Sequence, residues 1–312
     1  MLNLERLRVL HFLAATGSVV GAARALHVTT SAISQQLARL EREVGEPLVE
    51  RHGRGVRLTG AGTLLARDAA ELLSHVERVE AEVARRRGCV AGPLAVAAFA
   101  TAARGLLPGV LGALRARHPE LAVSVAEREP HEAIPDLVRG TLDIAVVQDW
   151  VEAPLALPEG LSRRDLLADV FDAALPAGHP LADRRTVRLG ELAGEDWITW
   201  TSGQVCHDWL TGALAGASVR HTASEHSTQL ALVAAGHGVA LIPRLGRDAV
   251  PAGVRLVAVD PAPTRNVYAL WRTSAAARPA IAATINALTV HCGRSGAVNP
   301  AATVVLPNRV NG

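Results

Sequence analysis

Residues 17–60 read GSVVGAARALHVTTSAISQQLARLEREVGEPLVERHGRGVRLTG, and this stretch decides the fold of the amino-terminal part. Ser18 can cap a short helix that carries Ala22, Ala23 and Leu26 on one face, and His27-Val28 make a tight turn into a second helix. Thr29 is a good N-cap for that second helix. Within it Ile33, Leu37, Leu40 and Val44 recur at intervals of four, three and four, so one face is core. Thr30, Ser31, Ser34, Gln35 and Arg39 are left on the other face. Short polar groups followed by an arginine are the chemistry that touches base edges and then phosphates. Gly45 can close the helix, and Pro47 prevents its renewal.

Working outward, LVERHGRGVRL at 48–58 reads as a hairpin with Arg54 at its tip between Gly53 and Gly55. Arg51, Arg54 and Arg57 supply positive charge beside the helix for backbone or minor-groove contacts. Upstream, Leu4, Leu7, Leu10 and Leu13, with Phe12, form a first helix that braces the other two.

Together, Gly17, Ser18, Ala22, Ala23, Leu26, His27, Val28, Ser34, Leu37, Leu40, Glu41, Gly45, Leu48, Glu50, Arg51, Gly55, Leu58, Thr59 and Gly62 resemble the LysR-type bacterial transcriptional regulators. Thr30-Ser31 departs from the Gln-Pro that family members often carry there. The resemblance implies a winged helix-turn-helix, a long linker helix and a two-lobed, periplasmic-binding-protein-like α/β effector domain. The expected division is a DNA-binding domain at 1–60, a linker at 61–88, an effector domain at 91–292 and a disordered tail at 293–312.

The composition agrees with such a chain. Its 312 residues exceed one ordinary core. All 32 basic side chains are Arg; residues 1–60 hold 8 Arg against 5 acids, whereas residues 91–312 hold 19 against 20, so the positive excess lies where DNA would be. The excess is small, and several copies are needed for a stable complex. No apolar run is long enough and charge-free enough for a bilayer, and MLNLERLRVL carries charge where a signal peptide needs an apolar block, so a cytoplasmic protein with no membrane partner is expected. Cys89, Cys206 and Cys292 are too scattered for a disulfide framework or a metal site, and no resident cofactor is expected.

Between Ala61 and Arg87 the chain is free of Pro and nearly free of Gly, which predicts one long helix. Leu65, Leu72 and Val79 recur every seven residues, as do Ala69, Val76 and Val83, predicting a seam for a partner helix. The family dimerises through this helix, and a homodimer or a tetramer built as a dimer of dimers follows from the resemblance. Contact with RNA polymerase is implied in the same way.

Past Gly92-Pro93 short apolar runs alternate with helical segments, predicting parallel strands with crossover helices in two lobes, 91–163 with 266–292 and 164–265. The resemblance extends through GLLP at 105–108, HPEL at 118–121, GTLDIAV at 140–146, GHPLA at 178–182 and VAAGHGVALIP at 233–243.

A small-molecule effector of unknown identity should bind between the lobes. Thr101 and Ala102 open a helix whose free amides suit an anion, and by the resemblance Thr101 offers its hydroxyl to the effector, with Thr201 and Ser202 opposite. Glu129, Gln148, Asp149 and Trp150 stand at strand ends near the cleft mouth, and Ser227 and Thr228 begin a helix below it. Glu129 and Asp149 with Trp150 and Trp200 can hold a cation, pointing to an amino acid or amino-containing metabolite, unless both acids pair with Arg128 or Arg104 and Trp150 only packs. Peroxide-sensing relatives place a reactive cysteine near Cys206, so a redox-responsive regulator is the alternative, and a cytoplasmic solute-binding module without a transcriptional role is another. None of the sequence motifs of a hydrolase, a nucleotide-binding enzyme or a metalloprotease occurs, and no catalytic residue is assigned.

Overall fold

The structure is a computed structural model that describes residues 2–53, 55–247, 249–294 and 304–305. Three helices open the chain, α1 (Leu4–Thr16), α2 (Val19–Ala25) and α3 (Thr30–Val44). Each start is set by a side chain that accepts a free amide: Asn3 from Glu5 and Arg6, Ser18 from Gly21, and Thr29 from Ala32. Left-handed Gly17 and Gly45 end α1 and α3. Leu7, Leu10, Leu13, Ala22, Ala23, Ile33, Leu37 and Leu40 meet in one core. The wing is the antiparallel pair β1 (Val49–His52) and β2 (Gly55–Leu58), with Glu50 opposite Arg57.

The linker helix α4 (Gly60–Arg87) has 28 residues, about 42 Å at 1.5 Å each. Its start presses on the chain entering the wing, where a Cβ on Gly62 would stand 2.0 Å from the Leu48 carbonyl oxygen. Its first turns lie across α1. The heptad seam therefore divides: Ala69 is buried and Leu65 packs in the DNA-binding core, while Leu72, Val79 and Val83 are exposed, as is Leu64. The apolar stripe of α1 needed cover and took the amino-terminal part of the seam for it.

The larger part of the chain follows as β3 (Gly92–Ala98), α5 (Ala100–Gly105), α6 (Leu107–Arg117), β4 (Leu121–Glu127), α7 (Pro130–Arg139) and β5 (Ile144–Trp150). It continues as β6 (Leu161–Pro176), β7 (Thr186–Val187), β8 (Asp196–Thr199), α8 (Val205–Ala213), β9 (Ser218–Thr222) and α9 (His226–Ala234). The last elements are β10 (Ala240–Pro243), β11 (Val254–Val259), β12 (Thr264–Arg272) and α10 (Pro279–Arg294). The main sheet runs β4-β3-β5-β12-β6-β11-β7, with β10 also on β6, and β8 and β9 form a separate parallel pair.

Only part of this sheet is parallel. β3 pairs in parallel with β4 and β5, but β12 is antiparallel to both β5 and β6, and β10 and β11 are antiparallel to β6. The 16-residue β6 belongs to both lobes: Leu161–Val170 lie against β12, and Phe171–Pro176 against β10 and β11. The passage between lobes thus falls at Val170-Phe171, inside a continuous strand, and not between residues 163 and 164. Its first half, LSRRDLL, carries three charges and lacks the alternation of a half-buried strand, which hid it in the sequence.

Lobe I packs Leu94, Val96, Leu106, Val110, Ile144, Ile281 and Leu288 on one sheet face and Leu137, Leu142, Tyr268 and Leu270 on the other. Lobe II packs Trp150, Phe171, Trp197, Cys206, Leu210 and Leu241. Gly293 and Arg294, assigned from sequence to the tail, continue α10; Val304 and Val305 pair with Arg163 and Ser162, and the rest of the tail lies outside the described residues.

Gly62→Ala should destabilise the DNA-binding domain by about 1–3 kcal/mol, since the new methyl meets backbone that cannot move aside. Gly60→Ala, whose Cβ meets nothing within 4 Å, should leave the thermal midpoint unchanged. Thermal unfolding of both variants checks the contrast.

Candidate functional site

The outer face of α3 carries exposed Thr30, Ser31, Ser34, Gln35 and Arg39. Exposed Thr29 spends its hydroxyl oxygen on the Ala32 amide, 3.1 Å away. Ser34 donates to the Thr30 carbonyl at 3.0 Å, and Gln35 donates to the Ser31 hydroxyl oxygen at 3.4 Å, which holds these side chains against the helix. A face of this width and chemistry can enter a major groove. On the wing Arg51 is exposed, Arg57 is paired with Glu50, and Arg54 lies outside the described residues.

The second site centres on a residue that the sequence did not single out. Arg265 of β12 and Asp169 of β6 stand opposite each other in the ladder, and their side chains are each 2% exposed. The Arg265 Nε and Nη2 groups donate to Asp169 Oδ2 at 2.9 and 2.7 Å. Nη2 also donates to the Thr101 hydroxyl at 2.7 Å, and Nη1 donates to the Gln148 side-chain oxygen. The rings of Phe99 and Phe171 flank the guanidinium, each centroid 4.9 Å away. The free oxygen of Asp169 accepts the Leu245 amide at 2.8 Å. Three residues on, Asp172 holds Arg244 and Arg247 at 2.7 Å each.

Around this knot the titratable groups are driven toward neutrality. Burial raises the Glu129 carboxyl against the opposing pull of Arg265 and His131. Burial pushes the Cys206 thiol up to about 12, against the opposing pull of Arg265. Burial, with Arg265, Arg104 and Arg247 nearby, pushes His226 down to about 3. His226 Nε2, Thr199 Oγ1 and Gln229 Oε1 are buried without a partner among the described residues. His226 lies edge-on to Trp200, with centroids 5.2 Å apart.

Of the cleft residues read from sequence, Thr101 and Gln148 meet at Arg265, the Glu129 carboxyl is under the influence of Arg265 and Gln148, and Ala102 is buried. Asp149 and Trp150 do not line the cleft. Asp149 is 0% exposed and accepts from the Tyr268 hydroxyl, Asn266 and the Leu155 amide at 2.9, 2.9 and 3.2 Å, with Arg163 at 3.7 Å. Trp150 stacks on Trp209 at 4.0 Å and donates to the Val205 carbonyl. The charge-and-ring site for a cation is thereby withdrawn, because its acid serves the sheet and its ring serves the lobe II core; the acid's partners are not Arg128 or Arg104. Glu129 follows the end of β4 and caps α7 rather than ending the strand. Thr201, Ser202, Ser227 and Thr228 are exposed before α8 and in the first turn of α9. The signal for Arg265 was a charge at the head of the strand-like run TRNVYALWR, matched by Asp169 in β6, but their pairing depends on a register that sequence alone does not supply.

No helix among the described residues is long and apolar enough to cross a membrane, and no cluster of His, Cys, Asp or Glu among them is placed to hold a metal ion. The Escherichia coli K12 "DNA-binding transcriptional dual regulator OxyR" is 28% identical over 281 residues, covering 87% of this chain and 90% of that protein. The "Probable HTH-type transcriptional regulator LrrA" of Synechococcus elongatus is 30% identical over 255 residues, covering 80% and 84%. These relatives are regulators, not enzymes. In three dimensions the chain is similar to a full-length OxyR variant from Pseudomonas aeruginosa, with a TM-score of 0.70 at 24% identity over 93% of this chain and 99% of that one. A hydrogen-peroxide-bound OxyR cysteine mutant from Corynebacterium glutamicum is similar with a TM-score of 0.57 at 24% identity, covering 95% and 97%. Residues 4–63 match the bacterial regulatory helix-turn-helix of the lysR family and residues 87–293 match the LysR substrate binding domain, so the chain, with its polar recognition face and its two-lobed sensor, belongs to the LysR family of transcriptional regulators.

Proposed function

We propose that this regulator binds double-stranded DNA as a homodimer or a dimer of dimers in the cytoplasm and responds to a small uncharged polar effector held beside Arg265. The single observation that carries this reading is the internal neutrality of the Arg265 site. Asp169 already cancels the guanidinium, Cys206 and His226 stay uncharged near neutral pH, and Glu129 is raised toward protonation. A carboxylate or an ammonium would gain little there and would lose its hydration. The partnerless polar atoms of Thr199, His226 and Gln229 are ready donors and acceptors on the lobe II side. Effector binding that closes the lobes shifts the protein between two arrangements only by its difference in affinity for them, and the changed arrangement alters DNA bending and contact with RNA polymerase.

A second reading is oxidation of Cys206. What favours it is the positive charge of Arg265 acting on the thiol, together with relatives named for hydrogen peroxide. A thiol pushed up to about 12 holds almost no thiolate at neutral pH, which counts against fast reaction. Exposed Cys89 lies just past the linker and Cys292 in α10, neither in the lobe II core with Cys206.

Three outcomes check these readings. Ser34→Ala combined with Gln35→Ala should weaken binding to the preferred site by roughly tenfold or more, with dimerisation intact; an unchanged footprint would sink the base-reading assignment. In tryptophan-fluorescence titrations uncharged polar metabolites should bind more tightly than dicarboxylates or amines, and Thr101→Val should weaken them, whereas preference for a dicarboxylate overturns the neutral-site reading. For the second reading, hydrogen peroxide should add one oxygen to the Cys206 peptide and change the footprint in the wild type but not in Cys206→Ser; an unmodified thiol rules it out.

A further inference from the structure

A second polar knot joins the linker helix to the sensor domain. The Glu77 carboxylate of α4 accepts from Arg272 Nε at 2.9 and 3.1 Å and from Nη2 at 2.6 Å, and it accepts the Ser274 hydroxyl. Arg272 ends β12 and is rooted in lobe I, where its Nη1 donates to the carbonyl oxygens of Leu137 and Leu142 at 2.7 and 2.5 Å. Behind it Asp143 pairs with Arg278 and accepts the Ala95 amide. The Glu77 and Arg272 side chains are only 22% and 14% exposed. Burial pushes the Glu77 carboxyl up, yet the bonds from Arg272 and Ser274 outweigh it and hold the carboxyl below its usual range.

The seam around this pair is poorly filled. A cavity of about 440 Å³ lies between Phe12, Leu73 and Val76 of the amino-terminal half and Val138, Gly140 and Leu161 of lobe I. Ala81, one turn along α4, is fully buried, so the seam closes on that side; beside the cavity, where packing is incomplete, the charge-assisted bonds supply the contact. The helix that carries Glu77 is anchored at its other end, with Ala69 buried in the DNA-binding core. It therefore moves with that domain as one body, and left-handed Gly88 at its carboxyl end offers a pivot about 16 Å from Glu77.

We propose that Glu77, Arg272 and Ser274 form a releasable latch that holds the linker helix, and with it the recognition helix, at one angle to the sensor domain. β12 carries Arg265 seven residues before Arg272, about 23 Å along the strand, so the same strand touches the cleft at one end and the latch at the other. The latch does not depend on which effector, if any, the cleft binds. In a dimer, opening it changes the distance between the two recognition helices and hence the half-site spacing that fits.

Hydrogen–deuterium exchange on the full-length chain tests this, comparing wild type with Glu77→Gln, Ser274→Ala and Glu80→Gln, the last an exposed neighbour on the same helix. Exchange in residues 72–80 and 272–278 should be roughly tenfold faster in Glu77→Gln, less so in Ser274→Ala, and unchanged in Glu80→Gln. A footprint on the DNA upstream of the protein's own gene should show altered spacing of the protected half-sites in Glu77→Gln. Equal exchange in Glu77→Gln and Glu80→Gln, or faster exchange with an unaltered footprint, overturns the proposal. Should Glu77→Gln fail to fold, Ser274→Ala, which removes one hydroxyl, decides by the same comparison.

Discussion

The one strand shared by both lobes and its lobe I neighbour carry opposite charges that meet where water cannot reach them, and the sensor domain is arranged around that meeting. Burying a guanidinium and a carboxylate costs several kcal/mol per ion unless geometry and further bonds offset it. Here Arg265 meets a carboxylate, a hydroxyl and an amide oxygen, and Asp169 takes a backbone amide on its remaining oxygen. A slip of β12 by one residue would turn Arg265 to the other face of the sheet and leave Asp169 unpaired, so the pair specifies the register on which the lobe boundary rests. The close approach of Gly246 to the Thr101 carbonyl, where a Cβ would stand 2.3 Å away, brings the lobe II connection against the first helix of lobe I at the same place.

The DNA-binding end is built on different physics. Its elements are local, each begun by a capping side chain and several ended by a left-handed glycine, and its core is aliphatic. Such a domain holds its shape without buried charge. That leaves its outer polar row free to meet a duplex, and Arg6 and Glu43 tie α1 to the far end of α3 without occupying that row. The sensor domain instead places a buried ion pair at its lobe crossing and a half-buried one at the linker contact, the places where relative motion of bodies is possible.

The helices, the wing and most strands could be read from periodicity, caps and turn residues, because these are properties of neighbours in the chain. The first half of β6 could not, since the run Arg163-Arg164-Asp165 hides the alternation, and what makes it a strand is its ladder with β12 about a hundred residues away. The candidate cleft was half legible. Thr101 and Gln148, read from strand and helix ends where such folds present polar groups, meet at Arg265; Asp149, read by the same rule, faces the other side of the sheet, while Trp150, on the side of Gln148, gives its ring to Trp209 and the lobe II core. Along a strand successive side chains alternate between faces, so adjacent residues cannot all face one ligand.

What the sequence by itself determined was the order of domains, the polar face of α3, the long linker and the two-lobed plan, since each depends on local pattern or on a resemblance spread along the chain. Only the tertiary structure decided that Arg265 gathers Asp169, Thr101 and Gln148 at the lobe crossing, that Asp149 supports the sheet, that Leu65 and Ala69 serve the chain's own core, and that Glu77 reaches Arg272. Each of those outcomes joins residues far apart in sequence, and strand register and helix docking, which bring them together, are settled by burial and charge pairing across the whole domain.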